Sequence, residues 1–548
     1  MKNLIIVINL LIVSSLSAVE FESSNLPIVI LDTFTKEIPN EPKITSDMKI
    51  IWNEDGSRNY LQSTEYHYNG KIGIELRGSS SQYFFPKKQY AVETRDENGE
   101  NLNVPLLGFP KENDWILHAP YSDKTLMRNV LTYSLSRKFG WYASRCKFCE
   151  LVLNDQYMGI YILMEKIKQD KGRVNINKLK YEEISGDDLT GGYIIKIDKF
   201  SGENTEGWQS NYTSKPNNQR QIYYQYHDPK FSDFANEQTL YIKGKIDHFE
   251  TLMSLENFAV NYDKIINTES FIDYFLINEL TKNVDGYRLS TFLYKDKDSV
   301  DPLIYAGPIW DYNLAFSNAN YYEGENVNDW MLDVYYYNNH FQGDGSHPPF
   351  WWRKLWNEEN LRNQAVYRWN DLRKHTLSEE SIFGMIDSIT TLLNESKDRN
   401  YERWPDVLGQ YIWPNPSGWQ NRKTYMSEVN YMKSWIHARL DWIDENINLF
   451  NVSIENHINN ASDYSLVRNY PNPFNPVTTI EFSLEKPSIV RIDIFNIKGE
   501  LITTIVKNSQ HSGIQNITFD ASTLESGVYF YRVVFDDKIL NGKCLLLK

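Results

Sequence analysis

Two acids set among apolar residues carry the clearest chemical signal in the chain. Asp311 interrupts the run "GPIWDYNLAF" (307–316), with Asn313 two places on, and Asp285 stands in the Asp-Gly corner of "NVDGYRLS", 26 residues earlier. A carboxylate in apolar surroundings is costly unless it is paired, hydrogen-bonded or bound to metal. Upstream, "RGSSSQYFFPKK" (77–88) places Arg77, Ser79 and Ser80 in a Gly-Ser turn ahead of Lys87 and Lys88, and Glu165 ends the apolar run "GIYILME". The free backbone N–H groups of such a turn and the point charge of a lysine suit a phosphate. Glu165 would orient one of those lysines. Loop, Lys, Glu, an Asp in a turn and an Asp after an apolar strand is the order in which phosphoryl-transfer enzymes use their parts. The loop and Lys hold phosphates, one Asp faces the acceptor hydroxyl and the other holds Mg²⁺. Taken singly, each element also reads as an ordinary hairpin, strand end or turn. No H-E-x-x-H, G-x-S-x-G or Walker loop offers a competing chemistry.

Several elements must bring these residues together. Residues 27–165 read as strand-rich, with "LPIVILDT", "MKIIW", "KIGIELRG", "KQYAVET", "CELVLN" and "GIYILMEKI" alternating or β-branched between Asn, Gly and Pro breaks. One helix is expected over 123–138, with Asp123 as its N-cap. Residues 183–240 read as polar and loop-rich around "GGYIIKIDK". The pattern is helical over 247–450, returning to strand at "TFLYKD" and "LIYAGPIW". Tyr425, Val429, Met432, Ile436, Leu440, Ile443 and Ile447 step by three or four, so one face of a last helix belongs to the core. Residues 451–465 read as a linker, and the short strands that follow predict a small all-β sandwich over 466–548. The expected fold class is thus α+β followed by all-β.

At 548 residues with 14% aromatic and 24% charged residues, the chain is globular and multi-domain. Its net charge of -15 argues against nucleic acid as a partner. Residues 1–18 have the layout of a secretory signal peptide, and no later run reaches the ~20 apolar residues of a membrane helix. The mature chain is therefore expected to be exported, with no transmembrane segment. Three cysteines make no disulfide framework; Cys146 and Cys149 form a lone C-x-x-C, read as a local disulfide or two structural thiols. Fifteen Trp and 37 Tyr, many between 321 and 442, suggest a second possibility: a surface protein with a stacking platform for a glycan or partner.

Two family resemblances attach to these stretches. "NYPNPFNPVTTIEFSLEKPSIVRIDIFNIKGELITTIV", "LESGVYFYRVVF" and the terminal "KCLLLK" resemble the C-terminal sorting domain of the type IX secretion system. This implies handling by that machinery and a secreted or cell-surface location in a gram-negative bacterium. "IELRGSSSQYFFPKKQYAVE", "DWILHAPYSDKTLMRNVLTYSL", "LNDQYMGIYILMEKI", "VDGYRLSTFLY" and "GPIWDYNLAF", in that order, resemble the CotH family of atypical protein kinases. The resemblance implies a reduced kinase-like fold over 19–450, ahead of a sandwich expected to be Ig-like. It further implies ATP and Mg²⁺ as cofactors and Ser or Thr of surface or secreted proteins as acceptors. Asp285 would be the catalytic acid and Asp311 a metal ligand, while Arg77, Ser79, Ser80, Lys87 or Lys88 and Glu165 would serve the nucleotide. Asp123 and Arg128 would be structural. The chain departs from the family pattern at Ser290, where kinase loops carry a metal-binding Asn, and at Asn313, where the family commonly has a second acid. Ser290 and Asn313 are accordingly expected as uncharged oxygen ligands, and a catalytically degenerate surface protein is the alternative.

Overall fold

A computed structural model describes residues 19–199, 206–214, 221–337, 346–447, 467–484, 486–511, 513–535 and 538–548. The expected signal peptide (1–18) and linker (451–465) lie outside the described residues. The fold is mixed α+β with an all-β C-terminal region, and the chain divides into two compact units, 1–451 and 452–548.

Seven strands of the first unit close into a barrel. They are β1 (Ile28–Asp32), β2 (Ile44–Ile51), β3 (Tyr68–Arg77), β4 (Gln89–Arg95), β5 (Asp114–His118), β6 (Cys146–Leu153) and β7 (Gln156–Glu165). Successive neighbours are antiparallel. The barrel closes where β1 runs parallel to β6, pairing Ile28 with Glu150 and Leu31 with Leu153. Val29, Leu31, Met48, Ile72, Ile74, Val92, Leu117, Leu151 and Leu163 fill it, the inward residues of a period-two pattern. Cys146 and Cys149 both lie on β6 as free thiols, pushed up to about 12 by burial, so the structural-thiol reading stands and the disulfide does not.

Helix α1 (Arg128–Phe139) crosses between the barrel strands in sequence. It starts five residues later than expected. Asp123 instead closes a turn by accepting from Thr125 N and Arg128 N, and Leu126 takes a left-handed φ of 64°, which no helix accommodates.

A five-stranded sheet follows, formed by β8 (Tyr193–Ile197), β9 (Gly207–Thr213), β10 (Gln221–Asp228), β11 (Thr291–Lys295) and β12 (Ile304–Ala306), in the order β9-β10-β8-β11-β12. Two of its strands fall in the stretch expected to be loop. Their polar residues disguise them: Tyr224 and Gln225 are buried, but Tyr224 donates to Glu250 and Gln225 to Lys199 O.

Helices α2 (Asn236–Ser254), α3 (Thr268–Thr281), α4 (Phe350–Asn357), α5 (Glu359–Arg373), α6 (Glu379–Leu392), α7 (Ser396–Arg403) and α8 (Tyr425–Ile447) follow, and two shorter helices cover Ser80–Phe84, directly after the Gly-Ser turn, and Met331–Tyr337. The seven apolar residues expected to line α8's inner face are all buried. So are Trp351, Trp352, Trp356, Trp369 and Tyr335, which makes most of the tryptophan-rich region core rather than surface.

The second unit holds two sheets, one of three strands and one of four, around Phe474, Ile480, Val490, Ile492, Ile517, Phe519, Tyr531 and Val533.

Candidate functional site

A cleft of about 1580 Å³ runs through the first unit. It is lined by residues of β3, β4, β5, the end of β7 and the Gly-Ser segment, and by residues of β8, β10, β11 and the loops after α3 and β12. Asp285, Ser290, Asp311, Asn313, Arg77, Ser79 and Ser80 all line it. Lys87, Lys88 and Glu165 do not.

Asp311 is half-buried, and its backbone has a left-handed φ of 64°, a conformation that Asp tolerates better than most residues. Its carboxylate accepts no hydrogen bond and forms no ion pair among the described residues. Burial, reinforced by the negative charge of Asp285, raises its pKa from 3.8 to about 6, against the weaker pull of Arg77. The guanidinium of Arg77 lies over the Trp310 ring at 5.2 Å and likewise makes no salt bridge among the described residues.

Helix α1 fixes the segment that carries Asp311. Tyr133 Oη accepts from Asp311 N at 3.0 Å, and Asn129 Oδ1 accepts from Tyr312 N at 2.7 Å. Arg128 donates to Ala315 O (2.9 Å) and Phe316 O (3.2 Å), while Asp123 holds the same guanidinium at 2.5 Å. The "D...LMRN" and "WDYNLAF" blocks are thus two halves of one buried interlock, and Asp123 and Arg128 are its clamp rather than part of the cleft chemistry.

Asn283 joins the two acid-bearing segments. Its side chain accepts from Asp285 N at 3.2 Å and donates to Asp311 O at 3.3 Å. Arg288 donates to Asp285 Oδ1 at 2.6 Å. Gly286 is required beside Asp285, since a Cβ there would lie 2.2 Å from Asn278 Oδ1. The loop stores three further left-handed residues, Lys282, Tyr287 and Ser290, a concentration typical of functional loops.

The lysines of "PKK" are spent on structure. Lys87 is buried, donating to Ile160 O (2.6 Å) and Asn400 Oδ1 (2.8 Å), with burial pushing its ammonium down to about 7. Lys88 donates to Gln82 O and Phe85 O and so staples the loop it follows. Glu165 binds Arg145 (2.6 Å), Tyr142 (3.2 Å) and, more distantly, Arg173, not a lysine.

The cleft's ammonium groups come instead from Lys43, Lys166, Lys196, Lys199 and Lys230. Lys43 is paired with Glu75 and Lys196 with Asp198. Lys166 has no hydrogen-bonding or ion-pair partner for its Nζ among the described residues, and burial lowers its pKa, with Lys230, Lys43 and Arg77 pressing the same way. Burial alone would raise Asp114, but Lys166 and Lys168 together overcome it and hold that carboxyl at about 2. The adjacency of Lys166 to the apolar strand end was the available signal for it; Asn129, Tyr133 and Asn283 carried none without the fold.

The donor set at the acidic end fits a hard divalent cation. Two carboxylates, one otherwise unpartnered, stand with the amide oxygen of Asn313 and the hydroxyl of Ser290 on one cleft, all oxygen ligands. No cluster of three His, Cys, Asp or Glu residues able to hold a metal forms among the described residues. Such a cation would therefore complete its shell with water or phosphate oxygens, as Mg²⁺ does at nucleotide sites.

Two family models match the chain. The one described as CotH kinase protein matches residues 74–443, and the one described as Secretion system C-terminal sorting domain matches residues 468–546. No curated protein matches it.

Proposed function

This chain belongs to the CotH kinase protein family, and from that premise we propose that it transfers the γ-phosphoryl group of ATP to Ser or Thr hydroxyls of secreted or surface proteins, with Mg²⁺. The observation that carries this reading is the meeting, in one cleft, of an unpartnered half-buried carboxylate, Asp311, with a second acid, Asp285, and two cations without an ion pair among the described residues, Arg77 and Lys166.

Asp311, Asn313 and Ser290 would hold Mg²⁺, which when bound neutralises phosphate charge and orients the transferred group. Arg77 and Lys166 meet phosphate oxygens, and the exposed Ser79 and Ser80 offer hydroxyl and backbone donors above them. Asp285, anchored by Arg288 and Asn283, accepts the acceptor's hydroxyl proton. The hydroxyl oxygen then bonds to the γ-phosphorus as the bond to the β–γ bridging oxygen breaks, and ADP leaves. The sorting domain supports handling by the type IX secretion machinery and a location outside the cell. No helix among the described residues is long and apolar enough to cross a membrane.

A second reading rests on the aromatics that remain outside the core. Phe84 packs against Trp413 (4.8 Å) and Tyr83 (5.1 Å), and Tyr321 stacks on Trp413 at 6.0 Å; Tyr83 is 85% exposed. Such a stack, of which Tyr83, Tyr321 and Trp413 line the cleft, suits a binding module for a glycan or protein.

Label transfer separates the two. The full chain with γ-labelled ATP, Mg²⁺ and a Ser/Thr peptide library should label peptide, and Asp285→Asn should not. Glycan binding lost in Trp413→Ala, with no label transfer by the wild type, would establish the second reading instead.

A further inference from the structure

We infer that His118 is a positioning residue, the centre of a one-way chain of hydrogen bonds that ties the Gly-Ser loop to the segment bearing Asp311. This rests on the reading of the cleft as a nucleotide and Mg²⁺ site.

The chain is fixed from one end. Tyr312 N is a backbone donor, so the group it meets at 2.7 Å must be the carbonyl oxygen of Asn129. The Asn129 amide nitrogen then faces His118 Nε2 at 3.3 Å, which makes Nε2 the acceptor. A neutral imidazole accepting at Nε2 carries its proton on Nδ1, which meets Gln89 Oε1 at 2.7 Å. With its oxygen so used, Gln89 donates from Nε2 to Ser81 Oγ at 3.0 Å. Every donor faces an acceptor, and reversing any one amide or the ring would set donor against donor.

Both ends lie at the site. Tyr312 follows Asp311. Ser81 stands in the first turn of the short helix Ser80–Phe84, against Gly78, where a Cβ would approach its Oγ to 2.2 Å, and Gln89 is the register partner of Arg77 across β3 and β4. The phosphate loop, the Arg77 strand pair and the Asp311 segment are therefore joined by one chain of hydrogen bonds in which His118 is the titratable side chain. His118 and Asn129 are both buried. The charged groups facing the ring are Asp123, Arg77 and Lys87, and burial, aided by the two cations, holds His118 at about 4, so the chain is intact at neutral pH. A second proton would turn Nε2 into a donor aimed at the Asn129 amide and break the link to Tyr312.

The tautomer can be read without nucleotide. In the ¹⁵N-histidine-labelled full chain, assigned against His118→Asn, the ring should show a protonated Nδ1 and bare Nε2, unchanged from pH 8 to pH 5. A protonated Nε2, or averaging between tautomers, overturns the inference. Asn129→Asp still accepts from Tyr312 N but cannot donate to Nε2, so His118 should acquire a titration between pH 5 and 8; no such change would also overturn it.

Two isosteres then test positioning. His118→Asn keeps a donor at the Nδ1 position and loses the Asn129 bond; His118→Gln places its amide at the Nε2 position and loses the Gln89 bond. With Mg²⁺ and ATP, His118→Gln should raise KM for ATP about fivefold, the worth of one hydrogen bond, with little change in kcat. His118→Asn should raise the Mg²⁺ needed for half-maximal rate by about the same factor. Equal stability losses with neither parameter moved would reduce His118 to a packing residue. Should the wild type transfer no label, the functional reading fails while the tautomer measurement still decides the chain.

Discussion

Replacing Asp311 by Asn should stabilise the protein while removing its activity. The wild-type carboxyl rises from 3.8 to about 6 because it is partly withdrawn from water beside the charge of Asp285. A raised carboxyl means that folding disfavours the charged form. The penalty is absent below about pH 4, grows as pH rises through about 6, and is complete above it. Two pKa units correspond to about 3 kcal/mol. Asn carries no charge, retains nearly the same shape and accepts the left-handed backbone at this position. At pH 8 without Mg²⁺ the variant should therefore be more stable by about 3 kcal/mol. For a unit of this size, at ~2 cal/mol/K of unfolding entropy per residue, this is a rise of about 3 °C in Tm. At pH 4 the two proteins should unfold together. Mg²⁺ and ATP at about 1,000 times their Kd should reverse the order, since such a ligand adds about 4.1 kcal/mol to the wild type alone. Thermal unfolding of both proteins at pH 4, 6 and 8, with and without Mg²⁺ and ATP, makes the comparison. A variant no more stable at pH 8, or an advantage that persists at pH 4, would refute the reasoning.

Other perturbations separate cleft from scaffold. Lys166→Met should raise KM for ATP about tenfold, the loss of one charge-assisted contact, whereas Lys88→Met should leave it within about twofold; steady-state kinetics tell them apart. Arg128→Met strands Asp123 in the core and releases the carbonyls of Ala315 and Phe316, so urea unfolding should show a loss of about 3–5 kcal/mol. Mg²⁺ affinity measured by calorimetry should be flat above pH 7 and weaken by up to about tenfold per unit below 6, as protons compete for Asp311. Gly78→Ala forces a Cβ into Ser81 Oγ at a φ of 94°, so KM for ATP should rise in steady-state kinetics.

Much of this architecture was written in local pattern. Alternation gave six of the barrel strands, and the three-and-four spacing of Tyr425 to Ile447 gave the buried face of α8. The cost of an acid inside "GPIWDYNLAF" pointed to Asp311, and the Asp-Gly corner to Asp285; both line the cleft. What the sequence hid was long-range. The parallel closure of β1 on β6 joins residues over 120 positions apart, and β5, "DWILH", has no alternation because both its faces are covered. Strand parity misdirected the search for the lysine that lines the cleft. At the end of β7 successive side chains face opposite ways, so Glu165 turns to Arg145 while Lys166 enters the cleft. Lys87 and Lys88 look like a ligand pair only until Ile160 O, Asn400 and the carbonyls of the preceding loop are seen to take their protons.

The central claim is that this cleft moves a phosphoryl group. The full chain incubated with Mg²⁺ and ATP bearing ¹⁸O on its γ-phosphorus, then analysed by mass spectrometry, tests it most directly. The account predicts phosphate carrying the ¹⁸O label on Ser or Thr of the chain or an added peptide acceptor, dependent on Mg²⁺ and absent in Asp285→Asn and Asp311→Asn. A folded wild-type chain that binds ATP and Mg²⁺ yet yields no labelled phosphoresidue over hours would contradict it.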